Sequence, residues 1–114
     1  MPYIQARLSV QLEEAQKNVL QSKLNGFVSD AFGKPVNYIM TEIKDNCTLC
    51  MAGKNSEKAA YVSISLLGSA AKEKCNIVTQ KICNLMTSEY GIIGSNVYVT
   101  FHPTDLWGWN GMMF

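Results

Sequence analysis

The chain begins with Met1-Pro2-Tyr3-Ile4-Gln5-Ala6-Arg7-Leu8-Ser9-Val10, and this stretch decides the fold because it places a buried strand first. Apolar and polar side chains alternate along it, and the apolar ones are Ile4, Ala6, Leu8 and Val10. A period of two is typical of a strand with one buried face. We therefore predict a first strand over residues 2–10.

Pro2 follows Met1 directly, and removal of Met1 would turn the Pro2 nitrogen from an amide into a secondary amine. An α-amino group titrates near about 7.7 to 8.0, and an apolar pocket or a neighbouring cation lowers that pKa. Such an amine is a candidate general base at neutral pH. Alternatively, Met-Pro is a common start, and proline at the first position of a strand only avoids a missing ladder donor. On these two residues alone the second interpretation is the better one.

The rest of the chain repeats one pattern of elements. Apolar stripes at helical spacing comprise Leu20, Leu24, Phe27, Val28 and Ala31 in a first helix, and Cys75, Val78, Ile82 and Leu85 in a second. Gly33 and Gly91 are the expected left-handed caps, so the first helix ends at about Phe32. Further strands are predicted over residues 38–43, 59–67 and 97–101, with a surface connection over 45–58.

This repeat predicts an α+β fold of two β-α-β units in tandem. Each unit needs a right-handed crossover, so the simplest product is a four-stranded sheet with both helices on one face. The strand residues expected under the helices are Val62, Ile64, Leu66, Val97, Val99 and Phe101. The opposite set is uncharged and consists of Tyr61, Ser63, Ser65, Tyr98 and Thr100. Such a face suits an interface or a ligand-lined interior, so we infer an oligomer.

The last nine residues, 106–114, read LWGWNGMMF and are too hydrophobic for a free end. Gly108 and Gly111 allow tight bends there. We expect this tail to dock on a neighbouring subunit.

Composition limits the classes of function. The 114 residues are enough for one domain, residues 1–114, but few for an enclosed cavity, which favours sites between subunits. Ten Lys and Arg balance nine Asp and Glu, so nucleic acid is not an expected partner. No apolar run reaches the roughly 20 residues that span a bilayer. We expect no signal peptide and no membrane insertion, and four reduced cysteines rather than disulfides.

Five motifs occur in order: Met1-Pro2, Gly33-Lys34-Pro35, Ser63-Ile64-Ser65-Leu66-Leu67-Gly68, Val97-Tyr98-Val99 and Gly108-Trp109-Asn110. Together they resemble the family of macrophage migration inhibitory factor and D-dopachrome tautomerase over the whole chain. The resemblance implies a homotrimer with the sheets around a central barrel and active sites between subunits. It also implies keto-enol tautomerase activity, an isomerase reaction, on phenylpyruvate-type 2-oxo acids and dopachrome-like compounds, without a cofactor.

The resemblance assigns roles residue by residue. Pro2 becomes the catalytic base, which reverses the preference stated above for that residue. Lys34 is the partner of the substrate carboxylate, although a lysine at a helix C-terminus also complements the helix dipole. Leu67 stands for a family isoleucine whose backbone N–H binds substrate. Tyr38, Trp109 and Phe114 align with pocket walls, and ordinary core or interface aromatics are the alternative.

Two further binding residues come, by the resemblance, from the adjacent subunit. Tyr98 matches a family tyrosine, while Thr100 replaces an asparagine that hydrogen-bonds the far end of a phenolic substrate. The chain is two residues shorter than the human-type pattern over residues 101–106. His102, the only histidine, is expected to be a surface residue without a partner.

Cys47-Thr48-Leu49-Cys50 is a CxxC motif within the predicted connection. A redox pair is expected at a helix N-terminus after a strand, and zinc needs further ligands nearby. The CxxC of the cytokine-like relatives would fall at residues 59–62 instead. We therefore expect neither redox nor metal function.

The sequence thus predicts a cytoplasmic trimeric tautomerase, and the resemblance adds export from cells without a signal peptide and a cytokine-like role. The alternative is a non-enzymatic signalling protein on the same scaffold, which binds a cell-surface receptor and keeps a vestigial pocket. Retention of Met1 would favour that alternative, because it leaves Pro2 as an amide.

Overall fold

The computed structural model describes residues 1–114, and its helices and strands follow the predicted order. The elements are β1 (Pro2–Leu8), α1 (Glu14–Phe32), β2 (Met40–Lys44), β3 (Ala60–Leu67), α2 (Lys72–Tyr90), β4 (Val97–Thr104), β5 (Gly108–Trp109) and β6 (Met112–Met113). Short 3-10 turns, Val36–Tyr38 and Gly94–Asn96, precede β2 and β4. Neither long helix has the length and apolarity needed to cross a membrane.

The main sheet has the strand order β2-β1-β3-β4. β1 is parallel to β2, and β3 is parallel to β4. β1 and β3 pair antiparallel, from Pro2 opposite Leu66 to Leu8 opposite Ala60. Parallel neighbours joined through a helix make a β-α-β unit. The prediction of an α+β fold with two such units in one four-stranded sheet is therefore confirmed.

The core lies between one face of this sheet and both helices. Val62, Ile64 and Leu66 of β3 are fully buried, as the alternation predicts, and Val99 and Phe101 of β4 pack half-buried at its margin. The helices contribute Leu20, Leu24, Val28, Val78, Ile82, Leu85 and Met86. Burying one such aliphatic side chain contributes roughly 1.5 to 3 kcal/mol.

Left-handed glycines end both helices at the predicted positions. Gly33 has φ 64° and Gly91 has φ 68°, and the N–H of each returns to a carbonyl of the last helical turn. A residue with a Cβ would be strained at these angles. The first cap matters most for the site, because it turns the chain at the residue before Lys34.

Two strand boundaries differ from the prediction for local reasons. β1 ends at Leu8 rather than at residue 10, and the Ser9 hydroxyl there accepts a hydrogen bond from a backbone N–H at 2.9 Å. β2 begins at Met40 rather than residue 38, because the Tyr38 N–H donates to the Pro35 carbonyl at 3.1 Å in a 3-10 turn. This turn directs Tyr38 away from the ladder.

β4 extends three residues beyond the predicted end, through Pro103 to Thr104. It is an edge strand, and proline is tolerated where its missing N–H faces away from the ladder. The tail then forms the small β5–β6 hairpin. Its bend uses Asn110 and Gly111, with φ 51° and 81°, so of the two glycines that allow a tight bend only Gly111 takes part in one.

The tail packs on its own chain. Trp109 stacks on Phe114 with ring centroids 5.9 Å apart and meets the edge of Tyr38 at 5.8 Å. Leu106 and Met112 nevertheless remain 79% and 73% exposed. Docking of these side chains on a neighbouring subunit stays a prediction.

The core arrangement predicts a strong contrast between two isoleucines. Ile64→Ala, at a fully buried site, should lower the free energy of unfolding by about 2 to 5 kcal/mol through lost burial and the cavity left behind. Ile93→Ala, at a site 54% exposed, should change it by less than about 0.5 kcal/mol. Urea unfolding at one fixed protein concentration measures both. Similar losses in the two variants would contradict the assigned core.

Candidate active site

The N-terminus opens into a cavity of about 440 Å³ at one end of the sheet. Pro2, Tyr38 and Trp109, three of the predicted site residues, line it together. Pro2 is buried as the first residue of β1, while Tyr38 and Trp109 are half exposed. The remaining lining residues are Met1, Tyr3, Asn37, Ile39, Met40, Trp107 and Gly108.

Lys34 and Leu67 meet the N-terminus at this end. The Lys34 Nζ donates to the Leu67 carbonyl at 3.0 Å, and the Leu67 N–H donates to the Met1 carbonyl at 3.2 Å. Lys34 also follows the C-terminus of α1 directly, so both interpretations of this lysine, dipole complement and site residue, agree with its position. The sheet register and the helix cap therefore place Pro2, Lys34 and Leu67 in one cluster.

The electrostatic environment of this cluster favours a neutral amine. Burial and, to a smaller extent, the Lys34 charge lower the pKa of the Met1 α-amino group below its usual value. Both effects penalise the ammonium form. Pro2 lies deeper than Met1 and is itself buried, so an amine at position 2 would experience the same two effects.

The aromatic residues occupy different layers. Tyr38 and Trp109 form the cavity wall, whereas Phe114 is not among the lining residues and supports Trp109 from behind by stacking. A direct wall position for Phe114 stays a prediction for the pocket between subunits. The Phe114 N–H also bonds the Trp107 carbonyl at 2.9 Å, which holds the tail against the site.

Tyr98 and Thr100 lie outside this cavity. In the sheet register Tyr98 of β4 pairs with Tyr61 of β3, which in turn pairs with Arg7 of β1. Arg7 lies five positions along β1 from Pro2, which is about 16 Å at the usual rise of a strand. Within one chain the structure does not bring Tyr98 to Pro2, and Thr100 lies on the open face of the sheet. Any contribution of these two residues to the site requires a second subunit.

His102 is exposed, as predicted, but the expected lack of a partner is wrong. Its Nε2 lies 2.9 Å from the Thr100 Oγ1, and that oxygen lies 2.8 Å from the Tyr61 hydroxyl. Residues two apart on a strand share a face, so the spacing of Thr100 and His102 already indicated this contact.

A second polar cluster beside Pro2 was missed by sequence reasoning. The Tyr3 hydroxyl and the Gln5 amide both donate to Glu42 Oε1, at 2.7 and 2.8 Å. The Tyr3 bond, followed by the Gln5 bond, lowers the pKa of Glu42 below its usual value. Conversely, the bond to Glu42 raises the pKa of Tyr3. The alternation of β1 placed Tyr3 and Gln5 on one face, but only the pairing with β2 brings them to Glu42.

The CxxC motif lies in the connection between β2 and β3, as predicted. Cys47 is half-buried and Cys50 is exposed, and both are free thiols. The Cys47 thiol points to the Lys44 carbonyl at 3.5 Å. The chain contains no group of three or more His, Cys, Asp and Glu side chains arranged to hold a metal ion.

A larger cavity of about 560 Å³ lies at the other end of β1. It is lined by Ser9, Lys58 and Tyr90 among others, and it contains none of the predicted site residues. The smaller cavity is the better candidate because it contains the N-terminus, whose amine has a lowered pKa and whose Met1 carbonyl is bonded by the Leu67 N–H next to Lys34.

Comparison with known proteins identifies relatives over the whole length. The family described as macrophage migration inhibitory factor (MIF) matches residues 1–114. The crystal structure of MIF2 from Leishmania major is 31% identical, with a TM-score of 0.91, and the match covers 100% of this chain and 97% of that one.

Two further structures are similar to this chain. The macrophage migration inhibitory factor-like protein of Entamoeba histolytica is 26% identical, with a TM-score of 0.88 and coverage of 99% and 98%. The homologue from Prochlorococcus marinus is 27% identical, with a TM-score of 0.85 and coverage of 98% of both chains.

The Glu42 cluster predicts a defined acid response. Because the folded-state pKa of Glu42 is depressed, its stabilising contribution is present above the unfolded pKa and is lost as pH falls through the folded one. Tyr3→Phe removes the main donor, so the Glu42 pKa should rise towards its usual value and less stability should be lost on acidification. Carboxyl-carbon NMR titration measures this pKa. Tyr98→Phe is the matched control, and an unchanged Glu42 pKa in Tyr3→Phe would contradict the cluster.

Proposed function

The chain belongs to the macrophage migration inhibitory factor family, and from that membership we propose that its processed form is a keto-enol tautomerase of phenylpyruvate-type 2-oxo acids and dopachrome-like compounds. The observation that carries the proposal is that the N-terminus, which lines an aromatic-walled cavity, is also in contact with Leu67, to which Lys34 is bonded. Tautomerase or cytokine-like function is what membership of the family supports in general, and the substrate class is our proposal.

Pro2 acts as the general base in this proposal. After removal of Met1 its secondary amine takes the proton from the carbon next to the keto group. The C–H electron pair forms the C=C bond while the π pair of the carbonyl moves onto its oxygen. The proton that Pro2 has taken then returns to this oxygen, which gives the enol and restores the neutral amine. Burial of Pro2 and the nearby Lys34 charge favour the neutral amine, which is the form that accepts a proton near neutral pH.

Lys34 and Leu67 bind the substrate carboxylate in this proposal. A lysine ammonium has three donors, and the bond to the Leu67 carbonyl uses one of them, so the others can reach a bound anion. The Leu67 N–H supplies a second donor once Met1 is gone. Since this donor is a backbone group, the leucine side chain does not affect the bond. A carboxylate fixed at two points beside the base restricts the rotation of the acid and places its proton near Pro2.

Tyr38 and Trp109 bind the substrate ring from the side, with Phe114 behind Trp109. Tyr98 and Thr100 complete the pocket from a neighbouring protomer of a homotrimer. Support for assembly comes from the β3 part of the open face, where Tyr61, Ser63 and Ser65 carry no charge. It also comes from two exposed side chains, Tyr98 of β4, which is 63% exposed, and Leu106 of the tail, which is 79% exposed. A trimer would cover both surfaces at once.

The Met1-retaining chain favours a second candidate function. With Met1 present Pro2 is an amide without basicity, and the Met1 carbonyl occupies the Leu67 N–H. The base and one of the two carboxylate donors, the Leu67 N–H, are then unavailable. In that form the protein would act as a secreted signalling factor that binds a cell-surface receptor through its surface.

The role of Pro2 is tested by Pro2→Gly. The glycine variant keeps the strand and a primary amine, but it loses the rigid placement of the nitrogen. We expect kcat/KM for phenylpyruvate to fall about ten- to a hundredfold, part of the roughly 100- to 10,000-fold that a positioned base contributes. Intact mass must confirm Met1 removal in both proteins, and light scattering must give the trimer mass for both. Equal kcat/KM values would remove Pro2 from the mechanism.

The blocking role of Met1 predicts a binding defect in addition to the loss of the base. Calorimetric titration with phenylacetate, a carboxylate without a keto group, should detect binding to the processed chain and at least about tenfold weaker binding to the Met1-retaining chain, because one charge-assisted bond is missing and the cavity is narrowed. Lys34→Met in the processed chain is the control for loss of the other carboxylate partner. Equal affinity with and without Met1 would show that Met1 does not occupy the carboxylate site.

A further inference from the structure

Three polar side chains on the open face form a continuous chain of hydrogen bonds. The Tyr61 hydroxyl lies 2.8 Å from the Thr100 Oγ1, and the His102 Nε2 lies 2.9 Å from the same oxygen. Thr100 and His102 are two residues apart on β4. Thr100 pairs with Ser63 of β3, and Tyr61, two residues before Ser63 on the same strand, reaches diagonally to Thr100. The Thr100 hydroxyl is therefore the centre of the chain.

The proton on His102 decides what the Thr100 hydroxyl can still offer. A hydroxyl has one donor and two acceptor positions. When the His102 Nε2 carries no proton, the Thr100 O–H donates to it and accepts from Tyr61, which leaves one acceptor position. When Nε2 carries a proton it donates to Thr100, whose two acceptor positions are then filled by Nε2 and Tyr61. The Thr100 O–H is then free to donate.

We propose that His102 is a positioning residue for specificity: its protonation switches the Thr100 hydroxyl from acceptor to donor towards the far end of the substrate ring. The proposal rests on the proposed tautomerase function and on the placement of Thr100 at the pocket end of a neighbouring protomer. The proposal requires that neutral His102 carries its proton on Nδ1 and leaves Nε2 unprotonated. Histidine is the side chain whose charge ordinarily changes between about pH 5 and 8.

Few charged groups near His102 could compete with Thr100 for a hydrogen bond to its ring. β3, the strand paired with β4, presents Tyr61, Ser63 and Ser65 to this face and no charge. His102 faces Ser65, which in turn faces Tyr3 on β1. The titratable and charged groups on the same face or at its margin are Tyr61, Tyr98, Tyr3, Arg7, Glu42, Lys44 and Asp105. Glu42 is already bound by Tyr3 and Gln5.

The hydrogen-bond chain itself can be tested without substrate. His102 is the only histidine, so nitrogen-15 NMR of labelled, processed protein reports its tautomer without assignment. Above its titration we expect a protonated Nδ1 and an unprotonated Nε2. Thr100→Val should convert this into a mixture of tautomers, whereas Tyr61→Phe, which keeps the Thr100–His102 bond, should not. A neutral ring protonated on Nε2, or a tautomer unchanged in Thr100→Val, would overturn the proposal.

The effect on specificity is tested with two ring-substituted acids. The oxygen of 4-methoxyphenylpyruvate can only accept a hydrogen bond, while 4-hydroxyphenylpyruvate can also donate one. Both use the same base and carboxylate partners, so the titration of Pro2 cancels in the ratio of their kcat/KM values. As pH falls through the NMR titration of His102, the methoxy-to-hydroxy ratio should rise about three- to tenfold, the effect of one hydrogen bond.

His102→Phe should make this ratio independent of pH, with the trimer mass and melting temperature measured as controls for assembly and folding. A flat ratio in the wild type, or an equal rise in His102→Phe, would overturn the specificity role. No turnover of phenylpyruvate or of either substituted acid would instead overturn the proposed function, and the role in specificity with it. The NMR result separates this outcome from a failure of the hydrogen-bond chain.

Discussion

The antiparallel pairing of β1 with β3 organises both the sheet and the candidate site. It joins the two β-α-β units into one sheet and fixes Pro2 opposite Leu66. A slip of one residue would turn Ile4, Ala6 and Leu8 away from the helices. The same register brings the N-terminus to the Leu67 amide. The position of the site is therefore a consequence of the pairing that buries the core.

The helix α1 brings the charge to the same place. It ends at Gly33, whose left-handed backbone turns the chain towards β2, and Lys34 reaches the Leu67 carbonyl from there. One cation then has two effects. It lowers the pKa of the terminal amine through like charge, and it can attract a substrate carboxylate. Burial adds to the first effect, because removal from water destabilises the charged ammonium form more than the neutral amine.

The spacing of apolar residues and the positions of the capping glycines predicted most of the fold. The alternation of β1 and β3, the apolar stripes and the two capping glycines all contain local signals, and each was confirmed. Motifs of the family identified Pro2, Lys34 and Leu67, which the structure brings together. The contacts that sequence reasoning missed lie between elements: the bonds of Thr100 to Tyr61 and His102, the Tyr3–Glu42 bond and the stacking of Phe114 on Trp109. These depend on cross-strand register and on the path of the tail, and neither is visible in the pattern of a single element.

We infer that the fold prepares a neutral amine at position 2, and the pKa of that amine reports this directly. Processed protein with nitrogen-15 in its proline would be titrated by NMR, alongside Lys34→Met. The account predicts a pKa below the ordinary range of about 7.7 to 8.0 for an α-amino group, and a higher value in Lys34→Met because a like charge is removed. A wild-type pKa within or above that range, unchanged by loss of the lysine, would contradict it.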